Sequence, residues 1–172
     1  WPEEWHPSGK YLFCYIEKAE YVKEKGHKRA PIDAIPGYGA YTDLWLLRTD
    51  SAAAWPLTHL PNRYSSGIIH AAISPDGTKF AWSERVRAPK FTNKNLAAGA
   101  YVIRVADFTW DTLPKFTNIK TYQPGDVSAL NEVESFSPDN KWLLFYSTFE
   151  SGNIIQTPIY ILDLESGGIK KL

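Results

Sequence analysis

Three short stretches of this chain repeat one pattern, and a chain that repeats in this way folds as a stack of similar units. They are His6-Pro7-Ser8-Gly9-Lys10-Tyr11-Leu12-Phe13, Ser74-Pro75-Asp76-Gly77-Thr78-Lys79-Phe80-Ala81-Trp82 and Ser137-Pro138-Asp139-Asn140-Lys141-Trp142-Leu143-Leu144-Phe145. Each reads as a tight turn between two strands. Proline presets φ early in the turn, Asp or Ser caps neighbouring N–H groups, and Gly9, Gly77 or Asn140 accepts the left-handed residue that ends it. Asn in place of Gly in the third copy supports this reading, because Asn is next most tolerant of positive φ.

Each turn is preceded by a short apolar strand: Trp5, Ile68 to Ile73, and Val133 to Phe136. The run after it is almost continuously apolar, as expected of a strand covered on both faces. A third strand that closes with a polar turn follows in each copy, at Leu44 to Asp50, Tyr101 to Asp107 and Ile159 to Gly168. Shorter fourth segments lie around Trp55 to Thr58, Phe116 to Ile119 and Ile169 to Leu172. Four strands in three copies predict twelve, with unit boundaries at about residues 1–61, 62–124 and 125–172. Tyr15 to Gly26 is the one segment with room for a helical turn. The 172 residues suffice for one such domain or a slice of a larger one.

The Ser-Pro-Asp-Gly/Asn-Lys turn with its apolar strand, followed by Ile159-Tyr160-Ile161-Leu162-Asp163-Leu164-Glu165-Ser166-Gly167-Gly168, resembles the repeat of TolB-like β-propellers, the WD40-like PD40 repeat. The resemblance covers essentially the whole chain and is weakest in the first copy, where His6 and Ser8 stand for Ser and Asp. It implies an all-β chain of three four-stranded antiparallel blades. Propellers typically close with about 4–8 blades, so three leave an apolar sheet face bare at each end. The expectation is a partial propeller that packs on further blades or partner chains, as an oligomer or part of a larger complex. A head-to-tail pair would give six blades, the number typical of the family it resembles.

The family includes scaffold proteins, the propeller portions of prolyl-oligopeptidase-like serine hydrolases, and carbohydrate-active enzymes, so the resemblance specifies fold more than chemistry. The leading reading is a non-catalytic protein-interaction module, with the gating propeller of a hydrolase or a carbohydrate-active enzyme as the alternative. Phosphate-loop, zinc-protease and nucleophile-elbow motifs are lacking, no cofactor is implied, and His6, His27, His59 and His70 share no metal-ligand spacing. Asp76 and Asp139 read as turn caps, not as a paired-carboxylate site. Trp45, Trp82, Trp142, Phe145 and Tyr160 read as blade core. Cys14, the single cysteine, sits in an apolar run and reads as a buried hydrophobe.

Nineteen basic residues against nineteen acidic ones argue against nucleic acid as a partner, and no apolar stretch is long enough for a membrane helix. Two insertions, about Glu17 to Thr42 and Glu84 to Gly99, are nevertheless net basic. They should share a rim with the blade connections, where Arg29, Tyr38, Arg63, Tyr64, Arg87 and Phe91 are the residues expected to meet an acidic partner. The chain begins at Trp1 and contains no Met, so an upstream initiator is expected. The family resemblance implies an extracytoplasmic site, periplasmic or secreted.

Overall fold

In a computed structural model of the chain, residues 2–18, 39–88, 91–92, 95–96, 99–152 and 157–172 are described, the side chains of 91–92 and 95–96 excepted. Three four-stranded antiparallel sheets account for almost all of them. The first contains β1 (Pro2–Trp5), β2 (Tyr11–Glu17), β3 (Thr42–Arg48) and β4 (Ala54–Pro56), paired in that order. In the second, β5 (Gly67–Ile73), β6 (Lys79–Arg87), β9 (Ala100–Trp110) and β10 (Pro114–Tyr122) pair in sequence, and a small hairpin, β7 (Phe91–Thr92) with β8 (Asn95–Leu96), is inserted between β6 and β9. The third is β11 (Asn131–Phe136), β12 (Trp142–Ser147), β13 (Ile159–Asp163) and β14 (Ile169–Lys171). Each sheet is an up-and-down blade. The leading strands β1, β5 and β11 pack beside one another, which places them at the common axis.

Tyr15 to Glu17 continue β2, so the segment with room for a helical turn starts as strand, and residues 19–38 lie outside the described residues. The middle blade is longer than its sequence pattern indicates. Strand β9 runs on to Trp110 and turns back through Asp111 to Leu113 into β10, since nothing in Phe108-Thr109-Trp110 interrupts a strand. A bulge at Asn118, φ 52°, shifts the register of this long pair between Thr117 and Lys120, and the Asn118 side chain donates to Asp107 at 2.8 Å.

The three strand-joining turns share one hydrogen-bond scheme. His6, Ser74 and Ser137 each donate their N–H to the carbonyl five residues on, at Tyr11, Lys79 and Trp142, and Gly9, Gly77 and Asn140 donate back to them. The latter three have φ of 71°, 75° and 60°. In the second turn the Ser74 hydroxyl donates to Asp76 at 2.6 Å and accepts the Lys79 N–H at 2.8 Å. Ser137, Asp139 and Trp142 repeat this at 2.6 and 2.9 Å. The charge of Asp76 is thereby satisfied within the turn, and the Ser74 hydroxyl holds its carboxyl below the usual range. Pro7, Pro75 and Pro138 sit exposed at the head of each turn.

This shared scheme fixes which residues are equivalent. With Tyr11, Lys79 and Trp142 superposed, the odd residues Phe13 and Tyr15 correspond to Ala81 and Ser83, and to Leu144 and Tyr146. Phe13, Leu44 and Leu46 of the first blade are fully buried against Ile68, Ala71, Phe80, Trp82 and Phe108 of the second. Aromatic rings dominate this seam, with Phe13 and Phe80 centroids 4.4 Å apart and Phe116 stacked on Trp82 at 4.9 Å. Such pairs add about 0.5–1.5 kcal/mol each beyond the area they bury. The second seam packs Ala81, Ile103 and Val105 against Val133, Leu143, Phe145, Tyr160 and Leu162.

Gly77 carries φ +75°, and a Cβ there would meet the His6 ring at 2.9 Å. Gly77→Ala should therefore cost about 1–2 kcal/mol and lower the thermal midpoint by about 4 °C, read by far-ultraviolet circular dichroism. An unchanged midpoint would refute the strain assigned to this turn.

Candidate functional site: two open blade faces and an axial cluster

Strand pairing extends the equivalence across each sheet. Opposite residues share a face, so Leu12–Leu47 corresponds to Phe80–Ala106 and Leu143–Leu162, and Cys14–Trp45 to Trp82–Arg104 and Phe145–Tyr160. Trp5 falls at the place of Ile73 and Phe136. On the second and third blades this face is covered by the preceding blade, with Phe80, Leu143, Phe145 and Leu162 fully buried. On the first blade it lies open. Trp5 is 55% exposed, Ile16 39%, and Leu12, Trp45 and Leu47 are only half-buried.

The opposite face behaves in mirror fashion. Phe13, Leu44 and Leu46 in the first blade and Ala81, Ile103 and Val105 in the second are shut against the blade that follows. Their counterparts in the third are Leu144, Ile159 and Ile161. Leu144 and Ile161 are half-buried and Ile159 is 37% exposed, with Trp142 and Tyr146 beside them. Trp82, Phe145 and Tyr160 are thus core. Trp45 and Trp142 are only half-buried: Tyr160, the counterpart of Trp45 on the third blade, is covered, whereas Tyr11 and Lys79, the counterparts of Trp142, are half-buried as well. Sequence periodicity could not separate the two cases, since both faces of every blade are written in the same apolar residues.

The seams also exchange backbone hydrogen bonds. The Ala71 N–H donates to Glu3 Oε1 at 3.1 Å across the first seam, and the Val133 N–H at the equivalent place donates to Ser83 Oγ at 2.8 Å across the second. Pro2 occupies that place in the first blade and has no N–H, so the open front face asks no such bond of whatever covers it. Cys14 lies on this face yet is only 4% exposed, and burial pushes its thiol up.

At the axis, one residue from each leading strand meets the others. His70 Nε2 lies 2.8 Å from Glu132 Oε1, and His70 Nδ1 lies 3.5 Å from Glu3 Oε1. His70 is the extra residue of a bulge between Ile69 and Ala71 and has φ 39°, an uncommon value for a residue with a β-carbon. Hydrogen bonding to Glu132 raises the imidazole pKa against the lowering effect of burial. Burial pushes the carboxyls of Glu3 and Glu134 up, with the His70 charge opposing it. Sequence reading missed this group, because His70 sits inside an apolar strand and a bulge breaks the two-residue alternation that would have marked its direction.

The loop rim is described in part. Arg29, Tyr38 and the Phe91 side chain lie outside the described residues. Arg63 is exposed with its Nε donating to Ser66 Oγ at 3.1 Å, and Arg87 is exposed at the end of β6 near Asp126. The Tyr64 ring lies 4.6 Å under the guanidinium of buried Arg85 and 6.0 Å from the Tyr41 ring. Lys18, at the start of the basic insertion, pairs with Asp43 at 2.6 Å. Tyr64 thus packs against β6 at Arg85, two residues before Arg87, with Arg63 next to it in the chain. Among the described residues no group of three or more His, Cys, Asp or Glu side chains is placed to hold a metal ion, and no helix is long and apolar enough to cross a membrane.

No family model and no curated protein matches the chain. Solved structures do. TolB from Acinetobacter baumannii is 18% identical over 99% of this chain and 31% of its own, with a TM-score of 0.56. Prolyl oligopeptidase B from Galerina marginata is 10% identical over 97% of this chain and 20% of its own, with a TM-score of 0.57. A prolyl endopeptidase follows at 17% identity, 95% and 19% coverage and a TM-score of 0.51. The chain thus has a TolB-like β-propeller fold, left open, and spans less than a third of the length of each of these proteins.

The seam equivalence gives a direct expectation. Trp5→Ala, on the open face, should cost less than about 1 kcal/mol, whereas Phe136→Ala at the matching covered place should cost about 3–5 kcal/mol in urea denaturation. Equal costs would contradict the assignment of that face as open.

Proposed function

We propose that this chain is a non-catalytic interaction module, a three-blade propeller segment that works by packing its two open faces against further blades or a partner of the same architecture. The observation that carries this reading is the register equivalence. Most positions left bare on the first and third blades are ones that the chain itself buries at its two internal seams: Leu12 and Leu47 stand at the places of Phe80–Ala106 and Leu143–Leu162, and Leu144 and Ile161 at those of Phe13–Leu46 and Ala81–Val105. Exposed apolar faces of this kind mark interfaces. The likeness to TolB supports the reading and agrees with an extracytoplasmic, periplasmic or secreted setting.

A second contact belongs to the loop rim. Arg63, Tyr64 and Arg87, with Arg29, Tyr38 and Phe91 from the insertions, are proposed to meet an acidic partner there; Arg and Tyr are residue types that anchor interfaces. Their charges would chiefly speed association instead of setting its strength.

The likeness to two prolyl peptidase structures favours one competing reading, in which these blades belong to the propeller of a serine hydrolase. The parent gene separates the two. Further Ser-Pro-Asp-Gly repeats beside this segment support the scaffold, and a Gly-x-Ser-x-Gly segment supports the hydrolase.

The faces are tested by a fluorescent dye that brightens on apolar protein surface. The native chain should bind it at neutral pH. Trp45→Lys on the front face and Ile161→Lys on the rear face should each remove part of the signal, and together most of it, while the far-ultraviolet spectrum stays the same. A folded native chain that binds no dye would sink the proposal.

A further inference from the structure

The three blades meet at a single histidine. Glu3 comes from β1 of the first blade, His70 from β5 of the second, and Glu132 from β11 of the third, so the contact ties every blade to the others at the axis. No other side chain among the described ion pairs touches all three sheets.

The geometry also states which form of the imidazole fits. Both ring nitrogens face carboxylate oxygens, and a carboxylate only accepts. A neutral imidazole has one N–H, so it serves one carboxylate and turns a lone pair on the other. The doubly protonated ring presents an N–H to each, at hydrogen-bond distance from Glu132 and at ion-pair distance from Glu3. We infer that Glu3, His70 and Glu132 form an axial clamp between the three blades, closed when the His70 imidazolium donates to Glu132 and pairs by charge with Glu3, and loosened when it loses a proton.

The surrounding groups act in the same direction. Glu134, on the bulge of β11, faces the ring as a further negative charge. Glu3 is held in place by the Ala71 N–H at 3.1 Å and by the hydroxyl of Tyr15 on β2, whose own pKa burial and Glu3 drive upward. The Glu3 side chain is 11% exposed and that of Glu132 21%, so solvent screens these charges less than it would at the surface. The positive φ of His70 sets the ring between the two carboxylates, where an extended strand residue would point to one face of its own sheet.

The sign of the pH effect follows. A histidine whose pKa is raised in the folded protein contributes stability that is fully present below the unfolded imidazole's value and is lost as pH rises through the folded value. The clamp therefore tightens on mild acidification from alkaline pH. Well below neutrality, protonation of Glu3 and Glu134, whose carboxyls are raised by burial, removes the anions that hold it. His6 works oppositely, because burial lowers its pKa, so the difference between two variants is the informative quantity.

The test uses the whole chain and the substitution His70→Asn, chosen because Asn tolerates positive φ. Proton NMR should show a His70 imidazole, identified by its loss in His70→Asn, that titrates above a free histidine. The urea midpoint of the native chain should rise as pH falls from 8.5 to 6.5, and that rise should be much smaller in His70→Asn. Glu132→Gln, which keeps the histidine, should lower the His70 titration point. A His70 resonance that titrates at or below the free value, or equal pH slopes for the native chain and His70→Asn, would overturn the clamp.

Discussion

Everything in this structure depends on sheet faces packing on sheet faces. A four-stranded blade with apolar residues on both sides has no stable existence alone, because neither side tolerates water. The chain solves this twice. Its middle blade is sandwiched, and Phe80, Ala81, Trp82 and Ile103 on its two sides are at most 2% exposed. The outer blades are each covered once. Their remaining sides, around Trp5 and Trp45 at the front and Ile159 and Ile161 at the rear, keep the composition of a seam without its partner. The functional reading is a consequence of that imbalance.

The polar groups are arranged around the same constraint. Buried backbone donors must find acceptors, and at the seams the acceptors come from the preceding blade, Glu3 for Ala71 and Ser83 for Val133. Buried Asn131 does similar work further out, donating to Tyr101 O at 2.9 Å and accepting from Ser147 Oγ at 2.7 Å. These bonds set the register of one blade on the next, while the aromatic seam supplies most of the attraction. The axial histidine joins both tasks, since it lies where all three leading strands converge.

Much of the fold was legible in the sequence because turn chemistry is local. A Pro followed two residues later by Gly or Asn, with short polar side chains beside it, can satisfy its own hydrogen bonds, and the three turns do so with the same backbone partners. Strand ends were less legible. Strand β9 extends to Trp110 and β6 to Arg87, because strand length is set by the pairing partner and not by the residues alone. The open faces were foreseen only in number. That Trp45 and Trp142 stand on them follows from register, which the pattern of apolar residues does not encode when both sides of a blade are apolar. The axial cluster was invisible for a related reason, since the bulge at His70 redirects a side chain that strict alternation would have assigned to a face.

The central claim is that the two end faces are unfinished seams that adhere to blades of the same kind. Light scattering on the purified chain across a hundredfold range of concentration tests it most directly. The account expects a particle mass that climbs above the 19.5 kDa of one chain as concentration rises, with association lost when both faces carry a lysine. A mass that stays at one chain throughout, from a protein that unfolds cooperatively, would contradict it.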